Sequence, residues 1–222
     1  MTGPASMHEL LLATRSAGKL RELRPLFAAH GIRVVDLADA GVAESPAEDE
    51  LESHDTFEAN ALAKARYFHS LTGRPTVADD SGLVVDALGG APGVHSKRWS
   101  ARSDLAGVEL DAENNRLLLE RLQRVADRRA HYVCVAAYVG GVQALWRRGA
   151  VQGRILELGR GVNGFGYDPL FFSDELGCTF GEASREDKER VSHRGRAFRA
   201  LLAALEAGEA DRGTARRKDA HS

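Results

Sequence analysis

Short apolar runs alternate with polar turns along this chain, and helical periodicity follows several of them. Residues 8–14 are a strand-like run ending in Ala13-Thr14; Arg15-Ser16-Ala17-Gly18 reads as a turn, and Leu20, Leu23, Leu26 and Phe27 then recur at helical spacing. A second strand is predicted over 32–35 and an acidic loop over 43–52. Asp55-Thr56-Phe57-Glu58 has the spacing of a capping box, with Phe57, Ala61, Ala65 and Phe68 making one helical face and Gly73-Arg74-Pro75 stopping it. Two short strands, 76–78 and 83–85, flank Asp79-Asp80-Ser81-Gly82, which reads as a turn. A helix over 111–126 turns Leu117, Leu118 and Leu122 inward, and a hairpin joins 132–139 to 142–146. A further strand over 151–158, a loop over 159–169 and a last helix over 194–208 complete a mixed α/β pattern without internal repeats.

The 222 residues, 43% of them hydrophobic, suffice for one domain over 7–208, and the polar ends 1–6 and 209–222 read as disordered tails. Thirty basic against 32 acidic side chains leave a net charge of -2, so no long-range field draws the chain to nucleic acid or to a membrane. Any phosphate binding must therefore be local. Two cysteines without paired spacing suit a reducing, cytoplasmic setting, and no apolar run approaches the roughly 18 residues of a membrane span.

Candidate chemistry gathers at turns. Thr14, Arg15, Ser16, Ala17, Gly18 and Lys19 open a helix with unpaired N–H groups, hydroxyls and a cation, which suits phosphate; a plain helix start with a surface lysine gives the same string. Adjacent carboxylates at Asp79 and Asp80 repel unless a cation is shared, and with Glu52 they suit magnesium; an Asx-turn closing a hairpin is the alternative. Gly164-Phe165-Gly166-Tyr167-Asp168-Pro169 places two aromatics where glycine lets the backbone approach a flat ring, or is simply a loop anchored to the core. Lys188, with Ser192-His193-Arg194, brings donors just before the last helix, or is a solvated helix start.

Taken together these strings resemble the Ham1/inosine triphosphate pyrophosphatase family, the non-canonical purine NTP pyrophosphatases. The resemblance runs from about Leu10 to Leu205 through Leu11-Leu12-Ala13-Thr14 with Gly18-Lys19 and Arg21-Glu22-Leu23; Thr56-Phe57, Asn60-Ala61 and Lys64-Ala65; and Asp79-Asp80-Ser81-Gly82-Leu83. It continues through Leu88-Gly89-Gly90-Ala91-Pro92-Gly93, the 164–169 string, Glu186-Asp187-Lys188 and Ser192-His193-Arg194-Gly195. The resemblance implies two lobes around a long central sheet with a cleft between them, usually in a homodimer. It implies hydrolysis of ITP, dITP and XTP to monophosphate and pyrophosphate with Mg2+. It assigns the triphosphate to the six residues from Thr14 to Lys19, with Lys64 as a further phosphate ligand. Metal falls to Glu52 and Asp80, with Asp80 also the general base; substrate contacts fall to Ser81, Phe165, Gly166, Tyr167, Asp168 and Lys188, and base reading to His193 and Arg194.

The chain departs from the family pattern where Arg15-Ser16 replace a small residue and Asn, where Glu52-Ser53-His54 replaces Glu-Thr-Gly, and where Ala59 precedes Asn60. Two readings from other classes remain: a catalytically silent nucleotide-binding module, and a nucleotidyl- or phosphotransferase. Intact Glu52 and Asp80 argue against the first, and the lack of an acceptor motif against the second.

Overall fold

A computed structural model describes residues 9–219, with side chains to Gly208. The segment 1–6 lies outside the described residues, and 209–222 is described only as backbone of the last helix, to Asp219. Strand β1 (Glu9–Leu12) leads through the 14–19 turn into α1 (Ala17–Ala29), then β2 (Arg33–Asp36) and a 3-10 turn (Pro46–Glu52) where the sequence predicts an acidic loop. Next come α2 (Phe57–Thr72), β3 (Thr76–Val85), α3 (Gly107–Arg121), β4 (Arg129–Gly140) and β5 (Gln143–Ile155). Short strands β6 (Phe171–Ser173) and β7 (Cys178–Thr179) precede α4 (Arg185–Val191) and α5 (His193–Asp219).

The strands form one seven-stranded sheet in the order β2-β1-β3-β4-β5-β6-β7, parallel on both sides of β1 and antiparallel from β3 onward. This is the mixed α/β architecture with a long central sheet expected from the sequence. The alternation of side chains along a strand sorts the core by face. Val77 on β3 and Cys134, Ala136 and Tyr138 on β4 pack under α1 and α5, where Phe27 meets Phe198 edge to face at 5.6 Å. Leu83, Val85 and Tyr132 continue that face into a second cluster with Leu118 of α3, Leu122 just after it, and Phe171 and Phe180. Ala78, Val133, Val135 and Ala137 face the other way, onto Phe57, Ala61, Ala65 and Phe68 of α2. Burying each large apolar side chain contributes about 1.5–3 kcal/mol, so these three clusters hold the sheet between its helices.

Three expectations need correction. Asp79-Asp80-Ser81-Gly82 is not a turn between two strands, because β3 pairs with β4 without interruption from Thr76↔Val139 to Val85↔Ala130. Likewise 142–146 and 151–158 are not separate strands but one β5, paired with β4 from Gln143 to Arg154. Thr56, not Asp55, caps α2, its side chain accepting from the Ala59 N–H. Among the described residues no helix is long and apolar enough to cross a membrane.

Candidate functional site

Strand β1 pairs with β3 only at Leu11↔Thr76 and Leu12↔Val77, so β3 runs on past the end of β1 with that side of Ala78 to Ser81 left open. The 14–19 turn sits over this opening. Ser16 caps α1, its Oγ accepting from Lys19 N at 3.4 Å, while Ser16 N donates to Thr14 Oγ1 at 3.1 Å. Ala17 and Gly18 begin the helix, whose free N–H groups carry partial positive charge. Lys19 Nζ reaches across the opening to the Asp79 carboxylate at 3.0 Å and to the Asp79 carbonyl at 3.4 Å.

Because Asp79 and Asp80 are successive residues of a strand, they point to opposite faces, and each has its own partners. The repulsion expected of acids at a turn does not arise. Asp79 lies under α1 and α5, where it takes Lys19 and the Arg194 Nε at 3.3 Å, and Cys134 Sγ stands 3.7 Å away. Burial opposes its ionisation, but Lys19, Arg194 and Lys64 outweigh burial and hold it well below the ordinary carboxylate range. Asp80 lies on the α2 face, accepting from Asn60 Nδ2 at 3.0 Å and Lys64 Nζ at 3.3 Å. Lys64 also donates to Glu52 Oε1 at 2.6 Å, so Glu52 and Asp80 converge on one ammonium. Burial penalises the Glu52 charge, yet Lys64 and Lys19 bring its pKa down to about 2. The Glu52 carbonyl also accepts from Arg98.

On the α1 and α5 side a cleft of about 350 Å³ opens between α1, the 162–165 loop and α4, lined by Gly18, Arg21, Glu22, Val162, Asn163, Gly164, Phe165, Phe180, Ala183, Ser184, Arg185 and Lys188. Phe165 forms a wall against Gly18: a Cβ added there would stand 2.6 Å from the ring, so only glycine admits it. Gly164, at φ +77°, brings the backbone so close that an added Cβ would lie 2.0 Å from Asp168 Oδ2, which accepts from Phe165 N at 2.7 Å. Lys188 joins Asp168 (2.5 Å) to Glu22 (2.6 Å) and passes 5.0 Å from the Phe165 ring centre. Arg194 in turn pairs with Glu22 and donates to Ser81 Oγ at 2.8 Å. Burial works against the Lys188 charge, but Asp168 and Glu22 raise its pKa above the ordinary lysine value.

Thr14, Ser16, Gly18, Lys19, Ser81, Phe165, Asp168, Lys188 and Arg194 thus come together around one opening, with Glu52, Lys64 and Asp80 at its far edge. Four others, Arg15, Gly166, Tyr167 and His193, sit elsewhere. The Arg15 side chain turns away to Glu48 and to the carbonyls of Val42 and Ala43. Tyr167 is buried with its hydroxyl donating to the Ser96 carbonyl at 2.8 Å, and Gly166 is fixed by Asp111, which accepts from its N–H at 2.7 Å. His193 is 3% exposed and stacks flat on Tyr132 with ring centres 4.5 Å apart. Sequence reasoning missed Glu22, which lies within the Arg21-Glu22-Leu23 string three residues after Lys19, and Asn60, which lies on α2 one turn before Lys64. A second hollow of about 440 Å³ beside the N-terminus of α2 contains none of the expected site residues.

The fold and site define an α/β protein whose cleft pairs cations and carboxylates beside an aromatic wall, suited to an anionic ligand bearing a flat ring. Residues 10–204 match the pattern of the Ham1 family, and the chain belongs to that family. A dITP/XTP pyrophosphatase of Burkholderia pseudomallei is 47% identical over 205 residues, covering 90% of this chain and 95% of that protein. Among solved structures, a HAM1 protein from Coxiella burnetii has a TM-score of 0.77 at 35% identity, covering 90% of this chain and 100% of the other. A nucleoside-triphosphatase / dITP/XTP pyrophosphatase from Mycobacterium abscessus has a TM-score of 0.65 at 41% identity, with 87% and 98% covered.

Proposed function

We propose that this protein hydrolyses ITP, dITP and XTP to nucleoside monophosphate and pyrophosphate, cleansing the nucleotide pool of deaminated purines. The observation that carries the reading is the convergence of the α1 N-terminus with Lys19, the Glu52 and Asp80 carboxylates, and the Phe165 cleft around one opening of the sheet. The names of the B. pseudomallei and M. abscessus relatives support it. We carry over from the family resemblance a cytoplasmic homodimer.

Glu52 and Asp80 fit magnesium, because two carboxylate oxygens that already converge on one cation, Lys64, form the hard-oxygen donor set this ion takes alongside substrate phosphates and water. When bound, magnesium would offset the polyphosphate charge that otherwise repels a nucleophile. The turn amides of α1 and Lys19 hold the triphosphate and stabilise charge moving onto the leaving pyrophosphate. Asp80 orients the attacking water and accepts its proton, while Asn60 fixes the carboxylate by donating to Oδ2. Positioning and electrostatics carry the reaction, with no covalent nucleophile.

The flat base rests against Phe165. Hypoxanthine and xanthine carry a keto oxygen at C6 that accepts hydrogen bonds from Lys188 or Arg194, where adenine presents an amino donor. Donor against donor leaves buried groups unsatisfied at about 1–3 kcal/mol each, enough over a few contacts to reject adenine. Product analysis tests the whole reading: ITP and XTP with Mg2+ should give pyrophosphate, and ATP should react far more slowly. Orthophosphate as the main product, transfer to an acceptor other than water, or ATP as the best substrate would overturn it.

A further inference from the structure

The 14–19 turn and the acidic segment ending in Glu52 are distant in sequence, yet one side chain joins them. Arg15 points away from the cleft, its Nε and NH2 donating to Glu48 Oε2 and Oε1 at 3.1 and 2.7 Å in a two-pronged pair. Two further N–H groups go to the carbonyls of Val42 and Ala43 at 3.0 and 3.1 Å. Glu48 is itself built into the 3-10 turn Pro46–Glu52: it accepts from Ser45 N at 3.2 Å and completes a capping box with Ser45. That short turn ends at Glu52, whose carboxylate meets Lys64. One guanidinium therefore clamps the start of the segment whose end supplies a carboxylate to the site, while the backbone of the same residue belongs to the turn beside Lys19.

We infer that Arg15 is a positioning residue, locking the α1 turn to the Pro46–Glu52 turn so that the phosphate-facing amides and the Glu52 carboxylate keep one fixed relation. The inference rests on the reading of Glu52 as a magnesium ligand. Arginine suits the task because its planar fork satisfies a carboxylate and two carbonyls at once, whereas a lysine ammonium does not reproduce that geometry. The side chains of Arg15 and Glu48 are 29% and 15% exposed, so solvent weakens their Coulomb attraction and the directional bonds matter more. The departure from the family pattern at Arg15 thus has a structural use: the side chain leaves the phosphate turn and fastens it from outside.

The test compares wild type, Arg15→Ala and Arg15→Lys in three measurements. These are Mn2+ binding to the substrate-free protein by electron paramagnetic resonance, the Mg2+ concentration for half-maximal pyrophosphate release from ITP, and amide hydrogen exchange across 42–52. Arg15→Ala should weaken Mn2+ binding and raise the Mg2+ requirement on the order of tenfold, the scale seen when a partner that orients a metal ligand is lost. Activity lost at low Mg2+ should return as Mg2+ is raised, exchange should quicken in 42–52 but not in the 197–205 part of α5, and Arg15→Lys should recover only part of each change. Unaltered Mn2+ binding and Mg2+ requirement in Arg15→Ala would overturn the inference and leave Glu52 held by Lys64 and Arg98. Full recovery by lysine would also overturn it, since charge alone would then suffice. Failure of the proposed function shows separately, as absence of pyrophosphate release by wild type, while the Mn2+ and exchange measurements still decide the role of Arg15.

Discussion

Acidification from about pH 7.5 to about pH 5 places a proton on the unfolded form of His193 that the folded protein refuses. The ring is 3% exposed, lies flat on Tyr132 with planes 7° apart, and its Nδ1 is buried without a hydrogen-bond partner among the described residues. Burial disfavours the imidazolium, and the neighbouring Arg194 and Lys188 add like-charge repulsion that Asp79 only partly offsets, so the pKa falls well below the ordinary 6.5. The sign follows directly: below about pH 6.5 the unfolded chain binds the extra proton, and stability declines as pH falls. The slope approaches about 1.4 kcal/mol per pH unit, so reaching pH 5 costs roughly 2 kcal/mol, a large part of the typical 5–15 kcal/mol of a folded domain. Urea unfolding of wild type and His193→Phe at several pH values measures this, since Phe keeps a flat ring on Tyr132 but does not titrate. The stability of the variant relative to wild type should rise by about 2 kcal/mol across the interval, whatever its starting offset. Should Phe pack too poorly, His193→Gln must show the same slope. Parallel curves for wild type and both variants would refute the reasoning.

Three further outcomes follow from the site. Asp80→Asn removes charge and basicity with little change of shape and should lower kcat by at least about 10²-fold; near-full activity in a pyrophosphate-release assay would move the general base elsewhere. Lys19→Ala should lower kcat together with kcat/KM, and it should also lower Tm, because the buried Asp79 carboxylate loses one of its two cationic partners. Adding Asp79→Asn should restore Tm but not turnover, and an unchanged Tm in the single variant would show the Lys19–Asp79 pair to be unimportant for folding. Gly18→Ala drives a methyl into the Phe165 ring, which lies 2.6 Å from the added Cβ, so the ring must shift and KM for ITP should rise; unchanged KM would remove Phe165 as the wall for the base.

Helices α1 and α2 were legible because their signals are local: Leu23, Leu26 and Phe27 repeat on one face of α1, and Phe57, Ala61, Ala65 and Phe68 on one face of α2, although its cap falls on Thr56, one residue beyond the expected Asp55. Strand β3 was not, because a pair of acids inside a buried strand contradicts every local rule. What makes it tolerable comes from far along the chain: Lys19 and Arg194 on one face, Asn60 and Lys64 on the other. Strand β5 was split for a related reason, since Arg147-Arg148-Gly149 interrupts the apolar pattern. In the fold those arginines lie at the exposed surface, where Arg148 meets Glu58, and Gly149 lets α5 approach so closely that a Cβ would stand 2.2 Å from the His193 carbonyl. The family strings propose Lys19, Glu52, Asp80 and Lys188 as site residues, whereas the ion pairs that hold each of them depend on three-dimensional proximity.

Those ion pairs also explain how so much charge is buried beside one cleft. An isolated buried ion costs several kcal/mol, and removing one partner of a buried pair typically costs about 3–5 kcal/mol. Here Glu22 lies between Lys188 and Arg194, Arg194 between Glu22 and Asp79, and Lys64 between Glu52 and Asp80, so each charge has an opposite neighbour and most have two. Such sharing lets one partner be loosened without stranding the other. If a triphosphate draws Lys19 toward itself, Asp79 retains Arg194 and the Cys134 thiol; if magnesium displaces Lys64 from between Glu52 and Asp80, Asn60 still donates to Asp80 and Arg98 still holds the Glu52 backbone. On the proposed reading these pairs act as placeholders: Lys64 neutralises the two carboxylates that a metal would take, and Asp79 neutralises the Lys19 ammonium that a polyphosphate would take. The same arrangement distinguishes the two acids, since Asp80 on the α2 face shares the Lys64 ion pair with Glu52 while Asp79 pairs with Lys19 and Arg194.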